Sequence, residues 1–351
     1  MNRLRATTAL AGATLIAAAA ISSPASAGLM LFKGYQDAAL SIGGYAGNTN
    51  ATGSIQADVA AGSTVLEAYL YSADVWGSGN ANVNLAGNVL TTGTGTLLDN
   101  ANPANVLRWD VTSIVKPVID AGPGGIYNFD LTELGTLDGE VLVVAYKNAS
   151  TTGGTAIILD GELATNGDST NLVFASPYTG GDAIMSLASS FSYNGDANGS
   201  GTTGQVTTVD VTTNSTSGRR LTSCLGGNDD GGFVAANGLL MTVGGIGDST
   251  ANPDPSCSSG AADDELYNLA FGNSADATAF LQNGDTFLRL DTANPSNDDN
   301  VFFLGLTSSF QITSVDDTPI TPGPTSVPEP GTLGLMGLGL AGILYWRRRR
   351  S

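Results

Sequence analysis

The sequence lacks histidine altogether and contains only two cysteines among its 351 residues. The absence of histidine excludes Ser-His-Asp and Cys-His triads and every zinc site with imidazole ligands. Two cysteines are too few for an iron–sulfur cluster or a four-thiolate zinc site. Charged residues make up only 13% of the chain, about half of the usual ~25%. Carboxylates are therefore the main groups left for catalysis or metal binding.

Basic residues are scarce, with 13 Lys and Arg against 32 Asp and Glu and a net charge of −19. Arg3, Arg5 and the arginines at 347–350 supply six of those 13 basic residues, so the body between the termini is more acidic still. Such a body repels phosphate backbones, which excludes nucleic acid as a partner, and it attracts cations.

The first 27 residues have the composition of a secretory signal peptide. Arg3 and Arg5 precede an apolar run at 9–21, and Ala25-Ser26-Ala27 is a small-residue cleavage site. We therefore expect signal peptidase to cut after Ala27 and the mature chain to begin at Gly28.

The C-terminal segment has a different composition. Val327-Pro328-Glu329-Pro330 is followed by an uncharged stretch at 331–346 and then by Arg347, Arg348, Arg349 and Arg350. As a helix this stretch is about 24 Å long, which is short of the ~30 Å hydrocarbon core but long enough for a marginal span. Arginines after the span act as a stop-transfer signal and leave the body outside the inner membrane. A plain membrane anchor is the alternative.

The segment 327–350 resembles the PEP-CTERM sorting domain of proteins exported by Gram-negative bacteria. Pro328, Glu329 and Pro330, the short glycine-rich span and the arginine cluster occur in the order of that domain. The resemblance implies recognition by exosortase, a membrane-embedded cysteine protease, and cleavage near the motif. It implies a precursor transiently anchored in the inner membrane, then released to the cell surface or extracellular matrix.

Between the two targeting segments, residues 28–317 show mostly period-two patterns broken by Gly, Asn and Asp, which is typical of an antiparallel β-sandwich. The apolar run 141–146 predicts a central strand covered on both faces. Serines alternating with apolar residues from Ala183 predict a strand with one solvent-exposed face. The pattern fits one large sandwich or two tandem ones with a break near 161–168. A Pro/Thr/Ser linker follows at 318–326.

Two segments predict short helices, Ser113–Ile119 and Ser274–Leu281. The strand segments 68–71, 109–112 and 141–146 also resemble those of secreted microbial surface domains with a β-sandwich fold. That resemblance supports the fold class and implies no activity.

The two cysteines, Cys224 and Cys257, lie in a segment rich in Gly, Asp and Pro. Export places them in an oxidising compartment, so the sequence predicts a disulfide between them. Such a bond stabilises the native state by ~3–4 kcal/mol in the chain-entropy model.

Acidic turns give a second, weaker prediction, a structural calcium site. The segment from Asp196 resembles the first half of a calcium loop but has Thr207 where such a loop needs a bidentate Glu. Ordinary solvated turns have the same composition. The candidate ligands are Asp196, Asn198, Asp229, Asp230, Asp263, Asp264, Asp298 and Asp299.

For the body we expect a non-catalytic structural role at the cell surface or in the biofilm matrix. One alternative is a module that binds exopolysaccharide, with Trp76, Tyr45 and Tyr178 as aromatic rings that stack on sugars. A glycoside hydrolase that uses two carboxylates is the other. No pair of carboxylates is selected by the sequence, and an edge or outward position explains Glu67 and Glu140 more simply.

Overall fold

A computed structural model describes residues 28–47, 50–74, 80–98, 105–163, 167–190, 207–223, 241–252, 255, 265–294 and 300–320. Within these residues the regular structure is mostly antiparallel β, arranged in four sheets. The predicted all-β sandwich class is confirmed.

Sheets 1 and 2 form the first sandwich. Sheet 1 has the strand order β3-β9-β5-β6, and sheet 2 has the order β2-β10-β4-β8-β7. Their strands are β2 (Ala39–Tyr45), β3 (Thr52–Val59), β4 (Thr64–Asp74), β5 (Val83–Leu85), β6 (Asn88–Leu90), β7 (Thr96–Leu97), β8 (Val106–Asp110), β9 (Gly125–Glu133) and β10 (Leu137–Lys147).

Sheets 3 and 4 form the second sandwich. Sheet 3 has the order β1-β11-β19-β13-β16, with β17 also paired to β13, and sheet 4 has the order β15-β14-β18-β12-β20-β21. Their strands are β1 (Met30–Gln36), β11 (Thr155–Asp160), β12 (Asp168–Phe174), β13 (Ala183–Ser190), β14 (Thr208–Thr212), β15 (Arg219–Thr222), β16 (Met241–Val243), β17 (Leu266–Asn268), β18 (Phe287–Ala293), β19 (Asn300–Ser308), β20 (Ile312–Val315) and β21 (Thr318–Pro319).

The four sheets stack in the order 1-2-3-4, with one apolar core in each of the three spaces between them. Strand β10 shows why the apolar run at 141–146 has no polar face. Val141 and Val143 point to sheet 3, whereas Leu142 and Val144 point to sheet 1. The prediction of a strand covered on both faces is confirmed, since all four side chains are fully buried.

The chain crosses between the two sandwiches at two adjacent places. Strand β1 belongs to sheet 3 and is followed at once by β2 of sheet 2, and the 3₁₀ turn Ala149–Thr151 leads from β10 back to β11. The two crossings are hydrogen-bonded, because Asp37 N donates to Gly154 O at 2.9 Å and Thr151 Oγ1 donates to Asp37 O at 2.6 Å. Residues 161–167 connect β11 of sheet 3 with β12 of sheet 4, and β21 occupies the start of the predicted linker.

The two helix predictions have different outcomes. The first is confirmed as α1 (Thr112–Asp120), which includes Pro117 and packs Val115 and Ile119 into the core of the first sandwich. The second is wrong, because 274–281 forms an irregular loop with bends. There the side chain of Asn273 accepts a hydrogen bond from Asp276 N and that of Asp276 accepts one from Thr278 N, which competes with helical pairing.

The prediction of a wet serine face on β13 is also wrong. Ser186 and Ser190 are buried, because this face of β13 lies toward the first sandwich rather than toward solvent. Ser186 Oγ donates to Gly244 O at 2.5 Å, which satisfies its hydroxyl inside the protein.

Candidate functional site

The residues predicted from the sequence to carry chemistry lie outside the described part of the chain. They are the sorting motif at 327–330, the stop-transfer arginines at 347–350, both cysteines and all eight candidate calcium ligands. These assignments stay predictions. Within the described residues, no group of three or more Asp, Glu, Cys or His side chains is arranged to hold a metal ion. In the same residues, no helix is long and apolar enough to cross a membrane.

The described residues do contain a group of buried carboxyl groups at one end of the first sandwich, which we call the acidic end. It consists of Asp74 at the end of β4, Glu133 at the end of β9, and Asp138 and Glu140 near the start of β10. All four side chains are at most 1% exposed. Burying a carboxyl group costs free energy unless the group is hydrogen-bonded or protonated.

Two of these carboxylates tie loops to the sandwich. Glu133 accepts hydrogen bonds from the backbone N–H of Gly47 at 2.8 Å and of Ala51 at 3.4 Å. Asp74 accepts one from Asn105 N at 2.8 Å and one from Asn80 N at 3.1 Å. Their role in this part of the chain is to hold loop backbone in place.

The other two carboxyl groups have fewer partners. Asp138 lies in the β-bulge between Leu137 and Gly139. The side chain of Asp138 is hydrogen-bonded to Ser190 of β13. Ser72 Oγ donates to Glu140 Oε1 at 3.1 Å. Within the described residues, Asp138 Oδ2 and Glu140 Oε2 have no hydrogen-bond partner.

Burial and neighbouring charge change the protonation of these two groups. Burial, and then the nearby charge of Asp74, raise the pKa of Asp138 to about 8. Burial, followed by the charge of Glu133, raises the pKa of Glu140 well above its ordinary value. A carboxyl group kept neutral in this way can be buried at much lower cost.

The outward position expected for Glu140 is wrong. Its neighbours in sequence do not indicate burial, because a glutamate beside an apolar run fits an edge strand equally well. The informative feature is the partner strand, since Glu140 is paired with Ser72 of β4 in the middle of sheet 2. That pairing is not visible in the sequence.

Polar networks also cross the core between sheets 2 and 3. Arg108 of β8 forms an ion pair with Asp160 of β11, and Tyr71 Oη donates to Asp160 Oδ2 at 2.8 Å. The guanidinium also lies over the ring of Phe32, 3.4 Å from its centroid. These contacts join strands of both sandwiches around one buried ion pair.

A second network lies nearer the surface. Lys33 Nζ of β1 is 3.0 Å from Glu67 Oε2 of β4, and that carboxylate also accepts hydrogen bonds from Tyr69 at 2.7 Å and from Tyr35. Burial raises the pKa of Glu67, but the hydrogen bonds from Tyr35, Tyr69 and Lys33 together lower it by more. Glu67 is therefore a structural carboxylate between the sandwiches.

A surface groove of about 370 Å³ lies where the two sandwiches meet. Asp58 and Tyr146 line it from the first sandwich, and Ile184 and Ile246 line it from the second. Ser41 and Ser186 are buried lining residues, and Gly244, Gly245, Gly247 and Gly305 add backbone to the lining. Burial, and then the charge of Asp58, raise the pKa of Tyr146, so its phenol is a neutral hydrogen-bond donor. An aromatic ring beside a carboxylate and backbone polar groups is suited to a small polar ligand.

The aromatic residues proposed for sugar stacking have other positions. Tyr178 is buried, packs edge-on to Phe310 with ring centroids 5.2 Å apart, and donates from its Oη to Gly181 O at 2.7 Å. A stacking role for Tyr178 is wrong, because its ring belongs to the core of the second sandwich. Tyr45 is half-buried at the acidic end, and Trp76 lies outside the described residues.

Comparison with known proteins identifies the C-terminal segment. A search of curated proteins finds no match. Among solved structures, the chain is similar to the major capsid protein P2 of bacteriophage PM2 over 79% of this chain and 98% of that one, with 12% identity and a TM-score of 0.21. A TM-score this low does not show that the two proteins share a fold. The family model of the PEP-CTERM protein-sorting motif matches residues 326–350. The chain therefore carries a C-terminal PEP-CTERM sorting motif, which marks it as an exosortase target made as a membrane-anchored precursor that is exported and processed to the cell surface.

Proposed function

We propose that the body is a non-catalytic structural component of the cell surface or extracellular matrix. The observation that carries this proposal is the continuous stack of four sheets in a protein that is sorted to the surface. The two sandwiches share a core and two polar networks, so they form one body rather than two domains on a flexible tether. A stiff, strongly acidic body suits a building element that stays soluble outside the cell.

The remaining parts of the proposal follow the order of export. Signal peptidase removes residues 1–27, the Cys224–Cys257 disulfide forms outside the cytoplasm, and the span at 331–346 holds the precursor in the inner membrane. Exosortase then cuts near Glu329. Pro328 and Pro330 support this step, because prolines end the helix and leave extended backbone that a protease can bind.

The test separates cells, matrix and medium of the producing strain and measures the intact mass of the protein in each. We expect the protein in the matrix fraction in a form that lacks Arg347–Arg350. The Glu329→Ala variant should remain in the membrane fraction with its C-terminus intact through Ser351. Thr325→Ala, just outside the matched motif, should behave like the native protein.

Three results would contradict parts of the proposal. Terminal arginines on the surface form would refute processing. Normal processing of Glu329→Ala would refute the role of that residue. A correctly processed protein found wholly in the medium would refute a structural role in the matrix.

Exopolysaccharide binding is a second candidate function, and the groove between the sandwiches favours it. Asp58 is exposed at the groove and can accept hydrogen bonds from sugar hydroxyls, while Tyr146 offers part of an aromatic face. The volume of about 370 Å³ accommodates one or two sugar rings.

Asp58→Ala is expected to weaken binding of exopolysaccharide isolated from the producing strain by about tenfold, which corresponds to the loss of roughly one strong hydrogen bond. The side chain is exposed, so the fold should be unaffected. Isothermal titration calorimetry gives the dissociation constants. Asp130→Ala is the matched control, since Asp130 is an exposed residue of the same sheet that does not line the groove. Equal affinity of both variants and the native protein would exclude the groove as the binding site.

A further inference from the structure

Gly28 and Leu29 are packed into the second sandwich ahead of strand β1. Leu29 is 5% exposed and belongs to the core between sheets 3 and 4. Gly28 is also buried, although β1 starts only at Met30. The residue expected to become the amino terminus therefore occupies a fixed place inside the protein.

A carboxylate lies directly beside this place. Leu29 N donates to Asp168 Oδ2 at 3.3 Å. A Cβ atom built on Gly28 would lie 2.7 Å from Asp168 Oδ1, so the carboxylate lies beside the Cα of Gly28. The nitrogen of Gly28 is one bond, about 1.5 Å, from that Cα.

The backbone of Gly161 approaches the carbonyl group of Gly28. A Cβ atom built on Gly161 would lie 2.2 Å from Gly28 O, and Gly161 has a φ of +134° that disfavours other residues. Gly28 thus has both Gly161 and Asp168 as close neighbours.

Cleavage after Ala27 changes the chemistry at this point. In the precursor the nitrogen of Gly28 is a neutral amide with one hydrogen. In the mature chain it is an ammonium group with three hydrogens and a positive charge, whose ordinary pKa is about 7.7–8.0. An ammonium group beside a partly buried carboxylate forms a charge-assisted hydrogen bond, which is stronger than a hydrogen bond from a neutral amide.

We propose that the amino terminus created by leader cleavage is the charged partner of Asp168, and that cleavage thereby completes the packing of the second sandwich. The inference rests on the export step of the proposed function. It assigns a structural consequence to that step, because the precursor lacks the ion pair that the mature protein forms.

The test is a double-mutant cycle on the chain through Ser351 in detergent. One form begins at Gly28 and the other keeps Ala27 as one additional residue, and each is made with Asp168 and with Asp168→Asn. The additional residue should lower the melting temperature by about 3–6 °C, and Asp168→Asn should lower that of the Gly28 form by a similar amount. The two changes together should lower the melting temperature no more than either change alone. Additive losses, or an unchanged melting temperature in the form that keeps Ala27, would overturn the proposal.

A second measurement distinguishes an ion pair from a simple packing effect. At pH 7.5 the α-amine of the Gly28 form should react with an acylating reagent at least tenfold more slowly than in Asp168→Asn, because a paired ammonium is a poor nucleophile. Asp130→Asn, which alters an exposed carboxylate in sheet 1, should leave the rate unchanged. Equal rates in all three forms would refute the pairing.

The natural protein separates this inference from the proposed function. An intact mass that begins at Gly28, combined with additive losses in the cycle, would refute the ion pair and leave export intact. A natural terminus at another residue would refute both the predicted cleavage site and the maturation step proposed here.

Discussion

Raising the pH from 5 to 8.5 is expected to lower the melting temperature of the protein by about 5–10 °C. Asp138 is the main cause. It is 1% exposed, and burial together with the charge of Asp74 raises its pKa from 3.8 to about 8. The folded protein therefore keeps a proton on this group at a pH where the unfolded chain has released it.

The direction of the effect follows from the number of protons bound. Between pH 4 and 8 the folded state binds more protons than the unfolded state, so the free energy of unfolding falls as the pH rises. The stabilisation is complete below pH 4 and is lost as the pH rises toward the folded pKa of about 8. At 1.36 kcal/mol per unit, a shift of this size corresponds to an upper bound of roughly 6 kcal/mol.

Other groups at the acidic end contribute to the same dependence. The carboxyl groups that face Asp138 are Asp74 from β4, Glu133 from β9 and Glu140 from β10, and the hydroxyl of Ser190 faces it from β13. Because the pKa of Glu140 is also raised, part of the pH dependence should remain when Asp138 is neutralised.

Asp138→Asn tests this assignment. The amide is neutral at every pH and its oxygen can still accept a hydrogen bond, so the variant should be more stable than the native protein at pH 8.5 and show a smaller change with pH. Calorimetry at pH 5, 7 and 8.5 measures both effects. Asp130→Asn, an exposed control, should follow the native curve. A native melting temperature that rises with pH would contradict the prediction.

Local features of the sequence predicted the local features of the fold. The apolar run at 141–146 predicted a strand with two buried faces, and β10 has them because sheets lie on both sides of it. The helix α1 was also predictable, since Val115 and Ile119 are four residues apart on one face. The C-terminal sorting motif was predictable for the same reason, because its parts are contiguous in the chain.

Features that depend on pairing between distant strands were not predictable. The serines of β13 are buried only because the first sandwich packs against their face, and nothing near Ser186 indicates that. The burial of Asp138 depends on a bulge in β10 and on Ser190, 52 positions later in the chain. A single sequence shows which residues alternate, but it does not show which strands they meet.

The sequence also did not show that β1 belongs to the second sandwich. Strand β1 precedes the first sandwich in sequence yet pairs with β11 in the second, so that Gly34 faces Ile157. The ion pair between Arg108 and Asp160 depends on the same arrangement, since its residues come from sheets 2 and 3. This contact gives the second large expected effect.

Replacing Arg108 with Met is expected to destabilise the protein by about 3–5 kcal/mol. Asp160 would keep its buried position but lose its counter-charge. In the native protein, burial raises the pKa of Asp160, while the charge of Arg108 and the hydrogen bonds from Arg108 and Tyr71 oppose that rise. Without Arg108 the carboxyl group should take up a proton more readily, so the loss of stability should be smaller at pH 4.5 than at pH 8.

Asp160→Asn and the double variant complete the cycle. The double variant should lose less stability than the two single variants lose in sum, because removing both charges leaves neither charge buried alone. Chemical unfolding at pH 4.5 and 8 provides the free energies. A single transition in every variant is expected, since the two sandwiches share the core that surrounds this pair.

The matched control for Arg108 is the exposed ion pair between Arg289 and Asp291 on β18. Its arginine side chain is 49% exposed, compared with 14% for Arg108. Arg289→Met should cost less than about 1 kcal/mol, because water solvates both charges whether or not they are paired. If Arg108→Met and Arg289→Met had equal effects, the ion pair between the sandwiches would contribute no more than a surface contact. Their shared apolar core alone would then hold them together.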